Sequence, residues 1–109
     1  MEGLNMYFLN EKEEKVIGKF LNSTNSIQGK ELILIWNDGS QAYAVYDSYI
    51  EDELDFEIDE DGYEEFWSFV FKVIRADTNA PIEITEDNYF LINYRNFPKE
   101  IIANGKKIN

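Results

Sequence analysis

The run Leu32-Ile33-Leu34-Ile35-Trp36, followed by Asn37-Asp38-Gly39-Ser40 and then Gln41-Ala42-Tyr43-Ala44-Val45-Tyr46, leaves the chain little choice. Two stretches rich in β-branched and aromatic residues bracket an Asp-Gly turn, the arrangement that closes a β-hairpin. Whatever else folds must extend this sheet or cover it.

From Glu53 to Asp59 the sequence alternates strictly, with Leu54, Phe56 and Ile58 on one side and Glu53, Asp55, Glu57 and Asp59 on the other. Period two is the strand period, so a strand here carries four carboxylates on its solvent face at about 6.7 Å intervals, two residue rises apart. Beyond it, Asp61 is placed as an N-cap with Glu64 at N3, completing an Asp-x-x-Glu capping box. Tyr63, Phe66, Trp67, Val70, Phe71 and Ile74 then fall at helical spacing, with Lys72 and Arg75 in the last turn. The pattern predicts a helix over about 62–75. A strand over Phe66–Ile74 is the competing reading, but a continuous apolar strand of that length needs both faces covered.

Lys15–Leu21 reads as a strand with Gly18 as a bulge, in preference to the end of a helix capped by Asn10 with Glu13 at N3, and Ser23–Ser26 reads as a loop. After Pro81, Ile82-Glu83-Ile84 suggests a short strand, and Tyr89–Tyr94 a firmer one. Asn104-Gly105 separates Glu100–Ala103 from Lys106–Ile108, as in a tight type I′ hairpin. Without an internal repeat or linker, residues 1–109 are expected to form a single acidic α+β domain. The expected architecture is a mainly antiparallel β-sheet covered on one face by one main helix, about residues 62–75.

Charge is distributed unevenly over this scaffold. Between Lys30 and Lys72 there is no basic residue, and those 41 positions hold 13 of the 22 acids, eleven of them between Asp47 and Glu65. The formal charge of -12 is thus about -13 in the middle and +1 elsewhere. So concentrated a negative field repels nucleic acid and anionic lipid and attracts basic protein surfaces. The 17 aromatic residues (Trp 2, Tyr 7, Phe 8) are too many for a disordered acidic tail, so the charge rides on a packed core.

Several chemistries are excluded. Cysteine and histidine are both absent, which removes disulfides, thiolate zinc sites, imidazole metal ligands and Cys-His or Ser-His-Asp catalysis. The first fifteen residues lack a basic segment and a long apolar run, and nowhere do 18 apolar residues stand together, so a soluble cytoplasmic protein is expected. Glu57–Gly62 resembles half of a calcium loop, but Glu64 occupies the apolar position and Ser68 stands where the bidentate carboxylate belongs. Neighbouring carboxylates satisfy glycosidase spacing trivially, yet on an open face all would ionise and none could serve as general acid. Glu13-Glu14-Lys15 contains a nuclease-like Glu-x-Lys pair without an upstream Asp, and reads as an exposed turn or helix start. The six glycines form no phosphate loop. Neither cofactor, metal nor catalytic residue is expected, and the protein reads as non-enzymatic.

What remains is a binding surface. Its candidate residues are Asp47, Glu51, Asp52, Glu53, Asp55, Glu57, Asp59 and Glu60, with Tyr46 and Tyr49 bordering the acids as interface aromatics; Tyr43 shares a strand face with Val45 and is assigned to the core. Trp36-Asn37-Asp38-Gly39, Tyr46-Asp47, the acidic stretch and Tyr63-Glu64-Glu65-Phe66-Trp67 together resemble the small acidic immunity proteins encoded beside bacterial polymorphic toxins, over roughly residues 31–70. That resemblance implies a protein that binds and blocks a basic, nuclease-like toxin. Two alternatives are a phage-encoded nucleic-acid mimic that inhibits a defence nuclease, and a housekeeping binding module whose acidity serves solubility.

Overall fold

The computed structural model describes residues 13–53 and 65–109. Within them one helix, α1 (Glu14–Ile27), precedes six strands: β1 (Glu31–Ile35), β2 (Gln41–Glu53), β3 (Glu65–Ala76), β4 (Tyr89–Ile92), β5 (Glu100–Ala103) and β6 (Lys106–Lys107). All pairings are antiparallel, in the spatial order β4-β3-β2-β1-β5-β6. The predicted α+β class holds, with a mainly antiparallel sheet and one helix. The helix, however, is not where the sequence placed it.

Residues 65–76 form a strand, and residues 14–27, read as strand and loop, form the helix. In α1 the buried residues are Ile17, Phe20, Leu21, Thr24 and Ile27, the three- and four-residue spacing of one helix face. Within the run Ser23–Ser26 three hydroxyls bond back along the helix. Ser23 donates to Lys19 O (3.1 Å), Thr24 to Leu21 O (3.0 Å) and Ser26 to Ser23 O (2.8 Å). Gly29, at φ +79, ends the helix and turns its amide to Tyr46 O at 2.9 Å, joining the helix exit directly to β2.

The objection to a strand at Phe66–Ile74 was that it needs cover on both faces, and for much of its length β3 has it. Phe66 and Ser68 are buried on one face and Phe69 and Phe71 on the other. Phe66 packs edge-on to Tyr94 at 6.2 Å, while Phe69 and Phe71 meet Phe20 of the helix at 4.8 and 6.1 Å. Ile74, assigned to the core by the helical reading, is 52% exposed. Asp61, the proposed cap, lies outside the described residues.

Two hairpins form as read. In the first, Glu31 to Ile35 pair with Val45 to Gln41; Gly39, at φ +87, donates to Trp36 O, and Trp36 N–H donates to Ser40 O, each at 2.9 Å. In the second, Asn104 (φ +53) and Gly105 (φ +79) supply the paired positive φ of a type I′ turn between β5 and β6. Tyr89–Tyr94 shortens to β4, and Ile82–Ile84 is not a strand.

The core lies between the sheet and α1. Phe20 sits at its centre, fully buried, with ring contacts to Tyr46 (5.6 Å), Phe69, Phe71 and Phe97 (5.8 Å). Leu32, Leu34, Ala42, Ala44, Phe90, Ile92 and Ile101 complete this face of the sheet. The opposite face carries half-buried Ile33, Ile35, Tyr43 and Val45, with the Arg75 guanidinium 4.1 Å from the centre of the Tyr43 ring.

Candidate functional site

β2 and β3 outrun their neighbours. β1 pairs only with residues 41–45 of β2, and the backbone of Gly29 and Lys30 carries that edge on to Tyr46. On the other side β4 pairs with Phe69–Lys72 of β3. Ser48–Glu53 and Glu65–Ser68 therefore continue past the ends of β1 and β4 as a two-stranded arm.

A bulge marks the root of the arm. Tyr46 lies opposite Phe71 and Ser48 opposite Val70, so Asp47 has no cross-strand partner. It is exposed, its carboxylate accepts from the Ser48 hydroxyl at 2.9 Å, and its carbonyl accepts from Gln28 Nε2 at 2.9 Å. The extra residue shifts the alternation by one, so Tyr49, Glu51 and Glu53 share the face of Tyr46. Tyr49 packs edge-on against Trp67 at 5.3 Å and leans on Phe69 at 6.4 Å.

Beyond this aromatic pair come the acids. Glu51 lies opposite Trp67, Asp52 opposite Phe66, and Glu53 opposite Glu65. Glu51, Asp52, Glu53 and Glu65 line one hollow where the described part of the arm ends. Two carboxylates directly opposed across a ladder repel, so this end is built for charge rather than for sheet stability. Asp52 differs from its neighbours: it is half-buried and accepts from Glu53 N–H (2.8 Å) and from the buried Ser68 hydroxyl (3.0 Å).

Glu13 anchors the arm to the helix. Val73 N–H donates to Asn88 O, so the odd-numbered amides of β3 point toward β4. β4 ends opposite Phe69, which leaves the Trp67 amide next in line, and it donates to Glu13 Oε1 at 3.0 Å. Glu13 stands at the helix start expected there but is fully buried rather than exposed; burial of a carboxylate is tolerable where it accepts such a bond.

Of the residues expected at a binding surface, Asp47, Glu51, Asp52, Glu53 and Tyr49 gather on this arm. Asp55, Glu57, Asp59 and Glu60, with the alternating strand they were assigned to, lie outside the described residues, in the segment that joins β2 to β3. Tyr46 is a correction: it is 2% exposed, in contact with Phe20 and Phe71, because it belongs to the helix-facing side of β2. Burial, and then the neighbouring Tyr49 and Asp47, push its hydroxyl pKa well above the ordinary value. The nearby Thr24 hydroxyl eases this only slightly, since its proton goes to Leu21 O and Tyr46 Oη meets no hydrogen-bond partner. Glu65 and Trp67 were missed as site residues, because only a strand at 65–76 brings them beside Glu51 and Glu53.

No three carboxylates converge closely enough to hold a metal ion among the described residues, and no helix among them is long and apolar enough to cross a membrane. No protein-family model, curated protein or solved structure matches the chain.

Proposed function

We propose that the protein is a non-enzymatic inhibitor whose acidic β2–β3 arm enters the basic active-site or substrate groove of a protein partner, in the manner of a toxin-neutralising immunity protein. The observation that carries this reading is the gathering of Glu51, Asp52, Glu53 and Glu65 in one hollow on an arm that stands beyond the sheet. Six more acids, Asp55, Glu57, Asp59, Glu60, Asp61 and Glu64, fall in the segment joining its strands. The field of such an arm raises association rates with a basic partner by roughly 10- to 1000-fold at low salt, which suits a protein that must reach its target before the target acts. The Tyr49–Trp67 pair beside the acids supplies the aromatic contact that interface centres favour. Mimicry of nucleic acid needs carboxylates in two backbone-like rows. Glu51 and Glu53 instead share one face and Asp52 is held by two hydrogen bonds, which favours a protein groove as the target.

Co-expression with the products of neighbouring genes, followed by association kinetics against any basic protein that co-purifies, tests the reading. The Glu51→Gln/Glu53→Gln/Glu65→Gln protein should lose on-rate at 50 mM salt and little at 500 mM. A complex that forms equally fast with the neutralised arm would remove the arm from the interface.

A further inference from the structure

β4 is an edge strand of the sheet, and its outer side is distinct from the arm. The register of β3 with β4 directs residues 88, 90 and 92 toward β3, as the bond from Val73 N–H to Asn88 O (2.8 Å) fixes. Tyr89, Leu91 and Asn93 therefore turn their backbone groups outward. Tyr89 is satisfied locally: its amide donates to Thr85 Oγ1 at 3.1 Å and its carbonyl accepts from Thr85 N–H at 2.8 Å. Asn93 N–H donates to Asn96 Oδ1 at 2.8 Å. Among the described residues the Leu91 N–H meets no partner. Its carbonyl receives only a long contact of 3.4 Å from Asn96 Nδ2, which bonds more closely to Pro81 O at 3.0 Å. One open donor beside one weakly held acceptor is the pair that an added strand uses.

This edge faces a groove of about 760 Å³ whose walls include Pro81, Ile82 and Leu91, with Leu91 itself 40% exposed. The size is that of a ligand site. Its charge has one sign: residues 76–94 contain Asp77, Glu83, Glu86 and Asp87 and no base, and Glu83 lines the groove. The bases flanking it in sequence and register are Arg95, exposed in the following turn, and Lys72, across from Tyr89.

We propose that this groove binds a short extended peptide segment of alternating apolar and basic residues. The segment adds to β4 through the Leu91 backbone, sets an apolar side chain against Leu91 and Ile82, and places a lysine or arginine beside Glu83. A second copy of the chain is the competing occupant, and pairing of two copies through this edge would show as concentration-dependent shifts of Leu91 in the protein alone. The element is separate from the arm, and its failure would leave the arm's role intact.

The test is an amide-shift titration of the ¹⁵N-labelled full chain with an N-acetylated, C-amidated Lys-Ile-Lys-Val-Lys-Ile peptide, and with its counterpart bearing Glu in place of Lys. Binding of the basic peptide should move the Leu91 amide most, with Ile82, Glu83 and Asn93. The acidic peptide should bind at least tenfold more weakly. Leu91→Pro, which removes the N–H but no bond to β3, should lose at least tenfold in affinity, and more than Leu91→Ala, which keeps the N–H and gives up only the apolar contact. Should Leu91→Pro fail to fold, Glu83→Lys should weaken the basic peptide at least fivefold. The proposal is overturned by shifts confined to residues 47–53 and 65–68, by equal binding of both peptides, by no response at millimolar peptide, or by concentration-dependent shifts of Leu91 in the protein alone.

Discussion

Phe20 is the residue on which the helix-on-sheet core depends, and Phe20→Ala measures that dependence. The side chain is fully buried, and its ring touches four others, on two strands and on the segment that carries Phe97. Phe→Ala in a core costs about 3–5 kcal/mol, the transfer of the lost carbons plus the cavity they leave. Here the walls are ladder-bound strands that cannot close in, and four aromatic contacts disappear, so the cost should sit near 5 kcal/mol. A chain of 109 residues is stable by roughly 5–15 kcal/mol, and each kcal/mol shifts the melting point of such a domain by roughly 4–8 °C. Phe20→Ala should thus melt at least 20 °C below the parent, or be unfolded outright. Phe20→Leu, which refills much of the space but gives up the ring contacts, should cost less, about 1–3 kcal/mol. Urea titrations followed by tryptophan fluorescence give both values. A Phe20→Ala protein within about 2 kcal/mol of the parent would mean that residues 14–27 do not cover the sheet.

Further outcomes follow from the same packing. Ile74→Lys should change stability by less than about 0.5 kcal/mol in a thermal melt, because the side chain is exposed; the helical alternative, which buries it, requires a loss of several times that. Glu13→Ala should cost about 1–3 kcal/mol by leaving the Trp67 amide without its acceptor, and hydrogen exchange should show residues 65–68 losing protection before 69–72. Tyr46→Phe should be neutral or stabilising, since the buried hydroxyl has no partner. Because the folded pKa of Tyr46 is raised, its contribution is whole below the ordinary value of 10.0 and lost as pH climbs above it, so the Phe variant should resist alkaline unfolding better. Asp38 behaves oppositely. Hydrogen bonds from the Ser40 hydroxyl and amide hold its pKa below the ordinary 3.8, so its contribution is whole above that value and fades as pH falls through the lower one; Asp38→Asn should flatten that part of a melting-point profile.

The sequence was informative where local chemistry decides and misleading where the partner element decides. Asp38-Gly39 and Asn104-Gly105 specify turns whose backbone angles few other residues adopt, and both hairpins formed in place. β3 was misread because Phe66, Trp67, Val70, Phe71 and Ile74 happen to fit a helical period. A doubly covered strand has no solvent face, and so has no polar alternation to betray it. α1 was misread for the opposite reason: Ser23, Thr24, Asn25 and Ser26 are poor helix formers taken alone, and burial of Ile17, Phe20, Leu21 and Ile27 overrides them. The acids of the site were legible as composition. Which of them face one another, and that Tyr46 turns inward while Glu65 and Trp67 join them, follows from the β2–β3 register, which depends on that misread strand.

The unpaired residue at position 47 works as a phase shifter. Because strand side chains alternate, deleting Asp47 would leave every residue from 48 to 53 with its chemical identity and reverse its direction. Ile50 and Asp52 would turn to the side now held by Tyr49, Glu51 and Glu53, and those three would be carried to the back of the sheet. The orientation of the charged arm is therefore not written in the acids at all. It is encoded by the number of residues between Tyr46 and Tyr49, and a lineage that gained or lost one residue there would invert its acidic face without changing a single charged side chain beyond it.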